Sequence, residues 1–172
     1  MKSTLTRLSL VHQIPTLAPG IAVEVSLGVN LNDSTQPLSP RLLWEVEEGT
    51  EGILSGQLKL TPPVGEWIRA VTMTQAVFDL EKGKLTGMNE HKSTVGVTCT
   101  LPVTPTAVYQ VANVGLVPSN DSSLRFAGTS VSSGCLALVS INNNEVTVNC
   151  EKMVLGSMLL NDLVKHFNNA SV

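Results

Sequence analysis

Apolar and polar residues alternate most regularly over residues 21–31. Every second residue from Ile21 to Leu31 is apolar, and the residues between them are small or polar. A period of two residues places the apolar side chains on one face of an extended chain, whereas a helix would scatter them around its axis. The pattern therefore predicts a half-buried strand.

Further regions have the composition and spacing of strands. Residues 94–103 alternate in the same way and place Cys99 on the apolar side, whereas residues 135–141 are almost all apolar. Residues 145–150 alternate again, and the Asn142–Asn144 run before them favours a tight turn, because Asn enters the left-handed backbone region more readily than most residues. We therefore predict a hairpin. Weaker apolar runs predict strands at 5–11, 42–46, 53–60, 107–117 and 124–131.

The C-terminal region follows a helical period instead. Ser157 is a suitable N-cap, and the apolar residues after it recur at the spacing of one helix face. These residues are Leu159, Leu160, Leu163, Val164 and Phe167. Two interpretations of this face are open: it caps the open core of the sheet, or it docks into a neighbouring subunit as a self-association face. Residues 66–80 fit both periods in part, and we expect a short helix there that runs into a strand.

These elements predict a mainly β fold. We expect an antiparallel β-sandwich or barrel-like sheet of about seven to nine short strands with a C-terminal α-helix, and one further short helix near 66–78. A chain of 172 residues is long enough for one well-buried core. Without a fixed repeat or an obvious linker, residues 1–172 are predicted to form a single β-rich domain.

Composition and charge narrow the possible partners. Charged residues make up 15% of the chain, the net charge is −3, and the 11 Lys and Arg are spread singly. The sequence therefore gives no strong support for direct binding to nucleic acid or to a membrane surface. Because few charges remain to keep a monomer soluble, we expect copies of the chain to cover part of its surface in a homo-oligomer.

Cysteine usage and the N-terminus bear on the compartment. Three cysteines without a C-x-x-C spacing are typical of buried thiols in a reducing environment. The first twenty residues lack the pattern of a signal peptide, and no run approaches the roughly 18 apolar residues of a membrane span. We therefore expect neither a signal peptide nor a transmembrane segment.

Known catalytic and ligand-binding motifs are missing. The sequence contains no G-x-S-x-G, no phosphate-binding loop and no pair of histidines at ligand spacing. We expect Cys135 to be a core thiol rather than a nucleophile, and His91 to form a solvated surface pair with Glu90. No catalytic residue, cofactor or metal site is predicted, and the chain is not expected to be an enzyme.

The opening of the chain combines the phrase Gln13-Ile14-Pro15, a Pro/Gly break and an alternating strand that ends at Leu31. In this it resembles matrix proteins of negative-strand RNA viruses, including the short ones of plant rhabdoviruses. The resemblance implies a non-enzymatic viral structural protein that self-associates in virion assembly, contacts viral nucleocapsid or a host protein, and resides in the virion and the host cytoplasm. Matrix proteins are often basic and this chain is acidic, so no site residue is carried over.

Three other hypotheses remain open from the sequence. The first is a capsid-type jelly-roll subunit, although no basic arm for a genome is present. The second is a monomeric viral accessory or binding module that acts on a host protein. The third is an enzyme of unknown mechanism.

Overall fold

The computed structural model describes residues 20–22, 24, 63–96 and 103–169, together with the backbone of 41–48 and 52–59. Within these ranges the strands are β1 (Arg41–Glu48), β2 (Gly52–Lys59), β3 (Ile68–Ala70), β4 (Glu90–Thr94), β5 (Gly115–Val117), β6 (Leu124–Ser130), β7 (Leu136–Asn142) and β8 (Glu145–Cys150). The helices are α1 (Gln75–Lys84), α2 (Pro105–Tyr109) and α3 (Met153–Asn169), and a 3-10 turn covers Gly87–Asn89. The predicted strand at 5–11, most of that at 21–31 and the centre of that at 94–103 lie outside the described residues.

The strands form two antiparallel sheets. β1 and β2 pair with each other, and the other six strands form a sheet in the order β3-β6-β7-β8-β4, with β5 also paired to β6. β3 and β5 lie one after the other along the same side of β6, since Ile68 pairs with Ser130 and Gly115 pairs with Ala127. β4 is the opposite edge of the sheet.

The predicted hairpin at 135–150 is confirmed. β7 and β8 are paired from Ala137 opposite Cys150 to Asn142 opposite Glu145, which leaves a two-residue loop. Asn143 in that loop has a φ of 52°. Hairpins of this length need left-handed backbone, and Asn adopts it at low cost.

The two faces of the large sheet carry separate apolar cores. On one face, Val139 and Val148 pack with Leu159 and Leu163 of α3. On the other face, Leu138 packs with Phe78 of α1. Neighbouring strand residues point to opposite faces, so adjacent residues of β7 contribute to different cores.

The predicted C-terminal helix is present but begins earlier than expected. α3 starts at Met153, so the assignment of Ser157 as the N-cap is wrong. Leu155 is 2% exposed and lies one helical turn before Leu159. The extra turn therefore adds a buried leucine to the apolar face, which outweighs the local capping preference of Ser157.

The apolar face of α3 is directed at the sheet of its own chain. Leu159, Leu163 and Phe167 are 0%, 0% and 2% exposed, Leu160 is buried at 7%, and Val164 is half-buried against the same core. This packing leaves the first three side chains no surface for a second copy.

Two secondary-structure predictions are wrong because a capping threonine begins a helix inside or just before the segment. Residues 66–80 form a strand followed by a helix, which is the reverse of the expected order, because Thr74 caps α1 by accepting from the Val77 amide at 3.4 Å. Residues 107–117 do not form one strand, because Thr104 and Pro105 begin α2 and only Gly115–Val117 is extended. Proline at the first helical position fits the helix without losing a hydrogen bond.

The predicted fold class is confirmed: the chain is mainly antiparallel sheet with a C-terminal helix. The prediction of one domain across 1–172 includes residues outside the described ranges and stays a prediction.

Arg125 anchors the loop between β5 and β6. Its Nη1 and Nη2 donate to the two carboxylate oxygens of Asp121 at 2.8 and 2.7 Å, and its Nε lies 3.8 Å from Asp79 of α1. The Ser123 side chain and amide also donate to Asp121. Arg125 first, and then Ser123, hold the pKa of Asp121 well below its usual value, because both favour the ionised carboxylate.

Replacing Leu163 by Ala should lower the free energy of unfolding by about 2–5 kcal/mol, because it leaves a cavity between α3 and the sheet. Leu80 of α1 is 61% exposed, and Leu80→Ala is the matched control, with an expected change within about 0.5 kcal/mol. Urea denaturation followed by circular dichroism measures both. Equal effects of the two substitutions would contradict the burial of this helix face.

The coupling between Asp121 and Arg125 should be present at pH 7 and fade in acid. The folded pKa of Asp121 lies below its unfolded value, so the carboxylate stabilises the fold above that unfolded value, about pH 4, and loses this effect as the pH falls through the folded pKa. A double-mutant cycle of Asp121→Asn and Arg125→Gln, measured by chemical denaturation from pH 7 downward, reports the coupling. A coupling that does not decline in acid would show that the ion pair is not its source.

Candidate binding cleft at the sheet edge

A tight turn precedes β3 at the edge of the large sheet. The Trp67 amide donates to the Val64 carbonyl at 3.1 Å. Gly65 forms a parallel bridge with Ala112, and a Cβ atom at position 65 would lie 2.6 Å from the carbonyl oxygen of Val111. Because a side chain there would collide with backbone, glycine sets how closely these two segments approach.

The short helix α2 positions the chain's single tyrosine beside this turn. Thr104 caps the helix by accepting from the Ala107 amide at 3.4 Å, and Val108 is fully buried. Tyr109 is 48% exposed, and its ring meets that of Phe126 edge-on, with centroids 5.9 Å apart. One side of the tyrosine is therefore fixed by packing while the other faces solvent.

Together these segments enclose a half-open cleft of about 360 Å³. Polar and aromatic side chains that line it are Glu66, Arg69, Tyr109, Gln110 and Asn113, and Val131 closes one side just after β6. Val131 is 47% exposed, and its amide donates to the Trp67 carbonyl at 2.9 Å. The cleft thus combines apolar surface with hydrogen-bonding groups.

The cleft has few charged side chains. Glu66 and Arg69 are its charged groups, and neither forms an ion pair with a described residue. A single carboxylate without a neighbouring nucleophile or histidine does not make an acid–base pair. Aromatic, arginine and aliphatic side chains around a concavity are typical of protein-binding surfaces.

Sequence reasoning missed this cleft. Tyr109 falls inside the strand predicted at 107–117, and that prediction gave it no position different from its neighbours. The signal that could have found it is Thr104-Pro105, which starts a helix too short to bury the tyrosine at its end.

The two cysteines in the described part of the chain, Cys135 and Cys150, lie in different surroundings. Ser133 Oγ lies 3.1 Å from Cys135 Sγ and 2.5 Å from Ser130 Oγ. Cys135 is half-buried at the end of a turn with Gly134 at φ 69°, so its assignment to the core is wrong. Cys150 is buried, and burial raises the pKa of its thiol to about 11, which keeps it protonated at neutral pH.

His91 and Glu90 do not form a surface pair, because adjacent strand residues point to opposite faces of β4. The His91 ring packs against α3, and its Nε2 is buried without a hydrogen-bond partner. The Glu90 carboxylate instead accepts from Asn149 Nδ2 at 3.2 Å and pairs with Lys92 Nζ at 2.9 Å. Lys92, first through its hydrogen bond, lowers the pKa of Glu90.

The lysines closest together in sequence do not make a basic patch. Lys84 pairs with Glu81 at 2.7 Å, as Lys92 does with Glu90, and Lys82 donates to Ser140 Oγ at 3.1 Å. Carboxylates therefore offset the charges of Lys84 and Lys92, whereas the hydrogen bond to a hydroxyl leaves Lys82 charged, and one lysine is a weak attraction for a phosphate backbone.

Two further kinds of site are absent from the described part of the chain. Its histidines, cysteines and carboxylates form no group of three that could hold a metal ion. Its helices include none with the length and apolar character needed to span a bilayer.

Comparison with known proteins identifies the family. A family model described as "AP-3 complex subunit beta-1, C-terminal domain" matches residues 65–167. AP-3 complex subunit beta-1 of Mus musculus is 38% identical over 162 residues, which cover 88% of this chain. AP-3 complex subunit beta-2 of Mus musculus is 36% identical over 89% of the chain, and subunit beta-1 of Homo sapiens is 36% identical over 91%. The chain spans 14% of the length of each of these relatives.

These matches overturn the viral interpretation. The resemblance to matrix proteins is wrong, and with it fall the virion structural role, the capsid and viral accessory alternatives, and the virion as location. The predicted homo-oligomer and nucleocapsid contacts are likewise replaced, since the relatives are subunits of a complex. A Pro/Gly break before an alternating strand is common to many β proteins, so the phrase that ends at Leu31 lacked specificity. The chain belongs to the family of the C-terminal domain of AP-3 complex subunit beta-1.

Proposed function

We propose that the chain acts as the C-terminal domain of a β subunit in an AP-3 adaptor complex and serves vesicle trafficking as a non-enzymatic protein-interaction module. Because the chain covers 14% of its relatives, complex assembly and membrane association belong to the larger protein. We place that protein in the cytosol, associated with endosomal or Golgi membranes, with the other AP-3 subunits as its partners.

The observation that supports this function most is the extent of the family match. Residues 65–167 contain all of the large sheet, α1, α2, all but the last two residues of α3, and most of the residues that line the cleft. The cleft therefore belongs to the part of the chain that the family model covers.

The cleft is the proposed protein-binding surface of the domain. Tyr109 offers an aromatic surface that packing against Phe126 already holds in place, so little side-chain entropy is lost on binding. Arg69 and Glu66 lack ion-pair partners in the described structure and can pair with groups on a bound protein. We propose that a partner inserts an apolar side chain between Tyr109 and Val131.

Assembly into an AP-3 complex is tested by purifying the tagged full-length β subunit from its own cells. The expected result is co-purification of the other AP-3 subunits in equal amounts, measured by quantitative mass spectrometry. Recovery of the β subunit alone, or in homo-oligomers, would contradict the proposed function.

Replacing Tyr109 by Ala should weaken capture of partner proteins by about tenfold or more, which is the range expected for an aromatic interface anchor. The matched control is Leu80→Ala, which removes an exposed apolar side chain from α1, away from the cleft residues. Immobilised wild-type and variant chains are compared on the same cytosol with quantitative mass spectrometry. If the Tyr109 variant captures the same proteins as the control, the cleft is not the binding surface.

A further inference from the structure

β4 is an edge strand of the large sheet, and part of its outer backbone has no hydrogen-bond partner among the residues that the structure describes. It pairs with β8 on one side, from Glu90 opposite Asn149 to Thr94 opposite Glu145. Just beyond this pairing, the Val95 amide donates to the Asn144 carbonyl at 2.8 Å. In an antiparallel pair every second residue bonds to the partner strand, so the N–H and C=O groups of Lys92 and Thr94 point away from β8.

The next outward-pointing amide along this edge has a partner. Gly96 N–H donates to the Asn168 side chain of α3 at 3.0 Å. For the backbone groups of Lys92 and Thr94 the described structure shows no such partner. The free edge is therefore short, and it ends at the contact between Gly96 and Asn168.

α3 runs beside β4 and forms a wall along one face of this edge. Its Gly156 lies against His91, where a Cβ atom would come within 2.8 Å of the imidazole Cδ2, and its Asn168 reaches Gly96. Twelve helical residues and five strand residues both cover about 17–18 Å, so the two elements stay side by side between these contacts.

One apolar residue of this wall, Val164, keeps part of its surface exposed. Residues four apart share one side of a helix, so Leu160 and Val164 lie on the stripe between Gly156 and Asn168. Leu160 is buried, and Val164 is half-buried. The position of Val164 on this stripe, one turn before the Asn168 contact, places it near the end of β4.

We propose that the β4 edge binds an extended peptide segment of a partner protein, which adds to the sheet as a further strand. The alternating N–H and C=O groups of Lys92 and Thr94 match the backbone of an extended chain, whereas a helix satisfies its own backbone groups internally. A side chain of the peptide directed at α3 meets Val164 and should be apolar. This site is separate from the cleft, since β4 contributes no residue to the cleft lining.

The proposal is tested with peptides selected from a phage-displayed library of random twelve-residue sequences on the immobilised 172-residue chain. The best peptide is then synthesised with N-methyl groups on every second amide, in both phases. Because a strand hydrogen-bonds to its neighbour through alternate residues, one phase should weaken binding by about tenfold or more and the other should leave it intact. Equal effects of the two phases would overturn strand addition.

Variants of the edge give an independent check. Thr94→Pro removes an outward-facing amide and keeps the bonds to β8, so it should abolish peptide binding, while Thr94→Val keeps the amide and should retain it. Amide hydrogen exchange should show that the peptide protects Lys92 and Thr94 in the wild-type chain. Protection at other residues alone, or a dimer in light scattering that Thr94→Pro dissociates, would overturn the proposal.

The two binding proposals fail separately. Tyr109→Ala should retain binding of the selected peptide, because the tyrosine lies in the cleft. Loss of peptide binding in that variant would place the peptide in the cleft and overturn the assignment to β4. The proposed function would survive that result, because it is tested by co-purification with the other AP-3 subunits.

Discussion

The packing of α3 against β7 and β8 is the interaction on which the remaining structure depends. It covers the alternate residues of both strands, including Val139 and Val148, with leucines that are fully buried. The hairpin of β7 and β8 lies at the centre of the large sheet, and each of the other four strands of that sheet pairs with it directly or through β6. Because α3 packs on these central strands, it holds them in place, and the two edge strands are positioned by pairing outward from them.

Each edge has its own chemistry because a different element lies beside it. At the β3 edge, the close approach of Gly65 to Val111 brings two backbone segments together and leaves a concavity lined by side chains. At the β4 edge, α3 lies along one face and the backbone itself is the exposed feature. The β3 edge is therefore suited to contacts with side chains and the β4 edge to main-chain hydrogen bonds, so the partners proposed for the two edges differ in kind.

How far the sequence predicts this structure depends on whether one local pattern dominates. The hairpin was predictable because alternation and the Asn142–Asn144 run agree. The start of α3 was not, since Ser157 is a good cap, and only the tertiary burial of Leu155 explains the longer helix. The cleft was out of reach of pattern reasoning because it joins residues near 66 and 110 through a bridge that no periodicity encodes. The family was missed for a related reason: generic strand patterns carry little information about identity.

The attachment of α1 has a consequence for how the molecule moves. Phe78 is the one residue of this helix that is fully buried, joined just beyond its end by Leu85, whereas α3 buries six. Because α1 buries fewer side chains than α3, less free energy is needed to detach α1 from the sheet. Transient detachment of α1 would uncover Leu138 without disturbing the opposite face. Native-state opening should thus begin on this side, and the sheet with α3 would persist as the last cooperative unit to unfold.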